Sequence, residues 1–459
     1  MQTQPPTGMR AFSFVWFGQL ISLFGTTMTQ FALTIWAYQL TGEATALALV
    51  ALFSFTPGAL ISPIAGALVD RWNRKLVMMI SDLGAGVATI GVFILYSSGN
   101  LQIWHLYVAG AFTSVFSAFQ WPAYSAAIST MLKKEQYARA NGMMGLAEAL
   151  PAVFAAPLAT TLLIIVGVSG VLLIDIVTFL FALAMLLIVH IPQPSQSDAG
   201  AASRGSLWQE SGYGFRFIWR NKPLLGVQLA FFASNLLFTL ATTVQAPMLL
   251  ARPAGGEASL AGVQSAAAVG GVIGGLLLSS LGAPKRKIIG VIGGMIASSL
   301  LSNLVMGLGQ TFIVWAAAGF MGGLIIPVLN ASNQSLWQAK VPPDVQGRVF
   351  AARRMIAQFT IPIGMAIAGP LADRVFEPAL MPGGALVPLF GGVVGVGTGA
   401  GMGLMSVIFG ALGALSAAAF YLIPAVRHVD ARMLDHDAGQ PHLPASAPFS
   451  EGEPAAART

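Results

Sequence analysis

Apolar runs of about 20 residues, the length of helix that crosses a bilayer, recur along nearly the whole 459-residue chain. Short breaks that are charged or hold Pro and Gly separate them. The pattern predicts twelve spans, beginning near Ala11, Ala44, Leu76, Gln102, Tyr137, Gly170, Pro223, Leu260, Ile288, Phe312, Gln346 and Gly399. The first is preceded by Arg10 and lacks a small-residue cleavage pattern, so it reads as a retained span with Met1 as the mature start. The longest polar stretch, about Ile191 to Lys222, opens Pro192-Gln193-Pro194-Ser195 like a linker and divides six spans from six. Its second part interleaves Leu207, Trp208, Phe215, Phe217, Ile218 and Trp219 with Arg216, Arg220 and Lys222. That suits either an amphipathic helix on the membrane surface or an ordinary linker with incidental aromatics. The tail after Arg432 is rich in Ala, Pro, Ser and acids, a composition that does not pay for ordering. The predicted fold class is an all-α membrane protein of two six-helix bundles. Residues 1–190 form the first bundle, 191–222 the linker, 223–427 the second bundle and 428–459 a disordered tail.

Composition agrees. The chain is 56% hydrophobic and 9% charged, against about 25% charged in soluble domains. Its 52 glycines and 26 prolines lie inside apolar runs, as in membrane helices, and not in low-complexity tracts. With no cysteine, disulfides, thiolate metal sites and thiol nucleophiles are excluded. A net charge of +6 would suit nucleic acid, but the placement of the 23 Lys and Arg residues says otherwise. Sorted onto alternate loops, all fall on one side except Arg252 and Arg374. That asymmetry marks the cytoplasmic face, with both termini on it. The partner this implies is the lipid of the membrane, with no nucleic acid.

The halves repeat at an offset near 210 residues. Arg74-Lys75 falls on Arg286-Lys287, Trp121-Pro122 on Ile326-Pro327, the loop of Arg139 near that of Arg348, and Ala156-Pro157-Leu158-Ala159 on Gly369-Pro370-Leu371-Ala372. Such internal repeats are a mark of secondary transporters, which rock two bundles about a central site.

At these residues the chain resembles the major facilitator superfamily. Gly66-Ala67-Leu68-Val69-Asp70-Arg71-Trp72-Asn73-Arg74-Lys75 matches that superfamily's loop signature between the second and third helices. The stretches Gln19 to Gly25, Tyr38 to Gly42 and Gln120 to Tyr124 look like the branch that includes the enterobactin exporter and macrolide efflux proteins. Departures are visible. In the second copy of the loop, Gly282 and Ala283 stand for Asp70 and Arg71; the fifth-helix antiporter signature is reduced to Ala156-Pro157 before Thr160-Thr161; and the fourth-helix arginine is missing. The resemblance implies a proton-coupled exporter of a siderophore, a macrolide-like compound or another small organic molecule. Import or lipid flipping on the same fold, and a membrane-embedded enzyme or receptor, are the alternatives.

The loop signature places a gate at Gly66, Asp70, Arg71, Arg74 and Lys75, with Arg348 or Arg353 as partners across the halves. Proton coupling needs an acid within a span, where it costs about 2.5 to 3.5 kcal/mol on insertion scales. Three qualify: Glu148, near the midplane by its position in the fifth span, is the leading candidate, with Asp82 and Asp175 closer to helix interfaces. By the resemblance the first, fourth, seventh and tenth helices line the cavity. Their candidates for substrate contact are Gln30, Trp36, Gln120, Tyr124, Asn235, Gln245, Asn330, Asn333 and Gln334. Pro157 and Pro370 are hinge or packing positions. Five scattered histidines without a paired ligand give no metal site, no phosphate-binding loop is present, and no cofactor is expected. Energy is expected from a gradient, and the protein is expected to act as a monomer.

Overall fold

A computed structural model describes residues 8–69, 72–132, 136–191, 207–282, 284, 286–341 and 346–432. The first half comprises α1 (Gly8–Thr41), α2 (Ala44–Val69), α3 (Arg74–Ser97), α4 (Ile103–Met131) and α5 (Tyr137–Ile188), followed by α6 (Leu207–Arg220). In the second half α7 (Lys222–Thr243) is continued by α8 (Gln245–Ala251), and α9 (Glu257–Leu281) follows. Next, α10 (Lys287–Ala297) runs through a π-helical stretch, Ser298–Leu304, into α11 (Val305–Leu308). Then come α12 (Phe312–Lys340) and α13 (Gln346–Leu371), which a π-helical turn, Ala372–Phe376, joins to α14 (Glu377–Leu380). The last elements are α15 (Val387–Val394), α16 (Ala400–Leu422), α17 (Pro424–Arg427) and α18 (Val429–Arg432), and no strand occurs among the described residues.

Helix α5 has 52 residues, about 78 Å at 1.5 Å per residue and more than twice a hydrocarbon core of about 30 Å. It breaks at Gly167, whose φ of +66° is open to glycine and strained for other residues. The chain doubles back there. Near the start of α1, Trp16 Nε1 donates to the Met143 carbonyl at 2.6 Å, while a Cβ on Gly18 would lie 3.1 Å from Met185. The two ends of α5 are thus side by side, and it makes two crossings. Ten helices among the described residues are long and apolar enough to cross a membrane. Separating the arms of α5 and adding the 29-residue α4 gives twelve, each starting within a few residues of the hydropathy pattern.

The outward faces are apolar: Ile164 is 81% exposed, Ile313 77% and Leu422 75%. In water such a surface would aggregate, whereas lipid is its natural solvent. Between helices the driving force is close packing of small residues. A Cβ on Gly58 would lie 2.5 Å from the Ser114 carbonyl between α2 and α4. In the second half a Cβ on Gly270 would run into the Phe320 carbonyl between α9 and α12. The same seam is built twice, as the repeat requires.

The basic-loop end and the opposite end are packed differently. At the basic end each half keeps its own core, one around Phe12, Val77, Met131 and Leu186, the other around Leu224, Ile288, Trp337 and Val426. At the other end one cluster crosses the halves, joining Phe31, Ile35, Ala44 and Ala159 to Leu240, Met248, Leu260 and Met402. There Gln39 Nε2 also donates to Glu257 Oε1 at 2.8 Å.

Of the two alternatives for the linker the structure has the amphipathic helix, and one boundary differs from the sequence reading. Helix α6, within the linker, buries Ile218 in the second half's core while Trp219 is 75% exposed, an amphipathic split. The order expected to end at residue 427 continues to Arg432, because Asp430 docks the chain. Its Oδ2 accepts from the Ile288 amide at 3.2 Å, at the start of α10, and its carbonyl accepts from Lys340 Nζ at 2.9 Å. The rest of the tail and residues 192–206 of the linker lie outside the described residues.

Candidate functional site

Of the three membrane acids, Asp82 and Asp175 are the enclosed ones. Eight residues into α3, Asp82 accepts from Gln19 Nε2 of α1 at 2.8 Å and from Gln120 Nε2 of α4 at 2.9 Å. Gln120 Nε2 also lies 3.1 Å from Gln19 Oε1, so three helices meet in one polar knot. Gln120 Oε1 and the Tyr124 hydroxyl, one turn apart on α4, are buried without a hydrogen-bond partner. Tyr124 itself stacks on Phe12, with ring centroids 6.2 Å apart. Asp175, 3% exposed, accepts from Thr26 of α1 at 3.2 Å and Thr89 of α3 at 3.3 Å. Glu148, the leading sequence candidate, is exposed on α5. Its direction around the helix was not legible in the span.

The second half holds a cavity of about 370 Å³ lined by Phe238, Thr242, Gln245, Gln264, Ser302 and Ile326, among others. That volume falls within the range of small-molecule pockets, about 300 to 1,000 Å³. Beside it the π-helical stretch Ser298–Leu304 brings Ser302 to the wall and leaves Asn303 1% exposed behind it. π-helical turns often occur at functional sites because they shift the register of one helix face. Of the amides expected to meet substrate, Gln245 lines this cavity. Gln120 belongs to the Asp82 knot. Trp36 packs edge-on against Tyr96 within the first half, at 6.3 Å. Asn333 is 6% exposed with Oδ1 unpartnered, and Gln334 Oε1 accepts from Arg353 at 2.6 Å. Gln30 and Asn330 are exposed, and Asn235 is half-buried. Gln264 and Ser302 were missed, because the resemblance directed attention to four helices and these belong to the eighth and ninth spans. The signal in the chain was a run of hydroxyls and an amide, Ser298 to Asn303, inside an apolar stretch.

Asp70 and Arg71 of the gate lie outside the described residues, with Gly66 in the last turn but one of α2 and Arg74 opening α3. Lys75 acts as a tether, its Nζ donating to the carbonyls of Leu187 and Val189 at 2.9 and 2.7 Å. It ties the start of α3 to the end of α5, where a cation complements the helix dipole. Arg353 lies over the Trp337 and Phe350 rings at 5.4 and 5.3 Å. Pro157 leaves its carbonyl to Thr161 Oγ1 at 3.0 Å, and Pro370 follows Gly369 where α13 meets α2.

The sequence profile described as Major Facilitator Superfamily matches residues 15–365, about three quarters of the chain. This chain belongs to the major facilitator superfamily. It is therefore a multi-pass membrane transporter in class, and the resemblance seen in its loop signature extends through both bundles. It is similar to the macrolide efflux protein A of Streptococcus pyogenes, 26% identical over 369 residues, 79% of this chain and 89% of that protein. A multidrug efflux pump of Mycolicibacterium fortuitum, Tap, is 25% identical over 392 residues, 83% and 93% of the two chains. Among solved structures, a bacterial homolog of the human lysosomal transporter Spinster, in an inward-facing and unoccupied conformation, superposes with a TM-score of 0.62. It covers 92% of this chain and 98% of its own at 14% identity, a likeness of fold.

Proposed function

We propose that this major facilitator protein exports small, uncharged or weakly charged organic molecules across the cell membrane, exchanging them for protons. The basic end is the cytoplasmic one by the charge asymmetry of the loops. The bundles then meet at the outer end, and rocking them about the shared cluster would open the space between them to one side and then to the other. Efflux is favoured by the relatives, which are named for it. The cavity wall offers amides, hydroxyls and an aromatic ring and, among the described residues, no ionised side chain, a lining that accepts donors and acceptors alike.

The observation that carries proton exchange is the Asp82 knot. An acid inside the membrane is retained at a cost, and the two amides that meet it sit on the first and fourth helices, two of those that the resemblance places around the space between the bundles. Loading and unloading a proton on Asp82 changes what Gln19 and Gln120 can donate to, and so biases those two helices. The energy comes from the gradient, with no nucleotide hydrolysed.

The test uses inverted membrane vesicles with an imposed pH gradient and a panel of uncharged drugs and dyes. Wild type is expected to concentrate at least one compound when the interior is acid. Asp82→Asn is expected to keep binding and downhill exchange and to lose gradient-driven accumulation. Full accumulation by Asp82→Asn would refute the coupling role, and accumulation only in right-side-out vesicles would reverse the direction.

A further inference from the structure

The pattern of Gly66-Ala67-Leu68-Val69-Asp70-Arg71 occurs a second time, at Gly369-Pro370-Leu371-Ala372-Asp373-Arg374. The first copy ends α2 at the basic end, and the second ends α13 at the opposite end, where the halves are packed together. Gly369 permits the approach, since a Cβ there would lie 2.5 Å from the Thr45 Cα. Just beyond it the helix widens into the π-helical turn Ala372–Phe376, which contains Asp373 and re-aims it. Its Oδ1 accepts from the Ala44 amide at 3.0 Å, and its Oδ2 accepts from the Thr45 amide at 2.7 Å and from the Thr45 hydroxyl.

Those amides are the first of α2. The opening N–H groups of a helix have no partner within it and are usually met by a local capping side chain. Here the acceptor comes from 329 positions away, in the other bundle. A carboxylate at that place also meets the positive end of the helix dipole. The bond set therefore exists only while the two halves are closed at this end.

We propose that Asp373 is a positioning residue of the transport cycle, a latch that holds the non-basic end shut by capping α2 and releases it when that end opens. The latch acts on the rocking of the bundles, so it depends on the alternating-access part of the functional reading and not on substrate, direction or coupling ion. Strong capping favours the state closed at this end, and weakening it favours the opposite state.

The test reads both ends of the full-length protein in oriented vesicles. The chain has no cysteine, so Ala48→Cys, at a buried position 1% exposed beside Gly369, reports the non-basic end to a membrane-impermeant maleimide. Asn330→Cys, at an exposed position in the half of α12 nearer the basic end, reports access from that side in vesicles of opposite orientation. Adding Asp373→Ala is expected to raise labelling of Ala48→Cys about tenfold, the scale of one lost bond to a charged group, and to lower labelling of Asn330→Cys. Asp373→Asn, which keeps the shape and one acceptor oxygen, is expected to give an intermediate change. A general loosening of the fold would raise labelling at both ends, and that outcome, like no change at either end, overturns the latch. Should Asp373→Ala not accumulate, Thr45→Val removes the hydroxyl bond alone and is expected to give the same reciprocal change, severalfold and smaller than for Asp373→Ala because the two amide bonds remain; unchanged labelling there is equally fatal. No substrate is needed, so a failed export assay leaves this result standing, and a failed latch leaves the export assay standing.

Discussion

The two halves repeat in fold but not in buried chemistry. In the first, Asp82 of α3 holds amides from α1 and α4, and Asp175 in the second arm of α5 holds hydroxyls from α1 and α3. The offset that puts Arg74-Lys75 on Arg286-Lys287 puts Asp82 on Gly294. A Cβ on Gly294 would lie only 2.8 Å from the Leu329 side chain, so the second half uses that place for close packing. On the last helix the buried polar contact to the seventh span is made by a neutral residue, Ser406, whose hydroxyl lies 3.4 Å from the Ala241 carbonyl. The seams differ too. The α9–α12 side carries the cavity, where Gln264 and Ser302 interrupt a largely apolar wall, while the α2–α4 side has an apolar groove of about 560 Å³ lined by Phe53, Pro57, Trp104, Tyr107 and Phe112. A duplicated scaffold can thus divide its labour: the first half holds Asp82 and Asp175 within its spans, while the second carries the neutral cavity and keeps Asp373 and Glu377 at the non-basic end.

The sharpest way to break that contrast is to move the acid. Gly294→Asp combined with Asp82→Asn is expected not to restore proton-driven flux and to destabilise the protein by about 2.5 to 3.5 kcal/mol, the insertion cost of an unaccommodated acid. Restored flux at wild-type stability would show the halves to be interchangeable. Next in size is Gln120→Leu, which takes one donor from Asp82. Proton-driven flux is expected to fall about tenfold, at 1.4 kcal/mol per decade, with downhill exchange spared. An equal fall in both would make Gln120 a substrate contact instead.

Within the cavity, Gln264→Ala removes one neutral hydrogen-bonding group and is expected to raise KM about two- to twelvefold, from about 0.5 to 1.5 kcal/mol, leaving the pH dependence as it was. A changed pH profile would mean that the second half shares in coupling. The smallest effect belongs to Ser406→Ala. Interhelical hydrogen bonds in membranes average about 0.6 kcal/mol, so a small drop in Tm with unchanged transport is expected, and lost transport would give the second half a buried polar group as important as Asp175.

Some of the site was legible because chemistry alone marked it. Asp82 and Asp175 stood out as acids in apolar runs, and Gln120 and Gln245 as amides on helices that the resemblance points inward. Glu148 stood out equally, yet it is exposed. A span surrounded by lipid and other helices is apolar all round, so its sequence does not say which residue points at a neighbour. Asp373 was passed over for a related reason: a residue at a helix end reads as an ordinary loop acid until the other bundle is placed against it.

By itself the sequence carried the apolar spans and their approximate ends, the uneven placement of basic residues on alternate loops, the repeated motifs and the family. These follow from local rules, since bilayer thickness sets helix length and loop charge sets orientation. The tertiary structure alone decided which acids are enclosed, that Gln19 and Gln120 converge on Asp82, where the cavity opens beside a π-helical stretch, and that α2 is capped from the far bundle. Each of these depends on how one helix is rotated against another, which close packing of side chains sets and the periodicity of a single span does not.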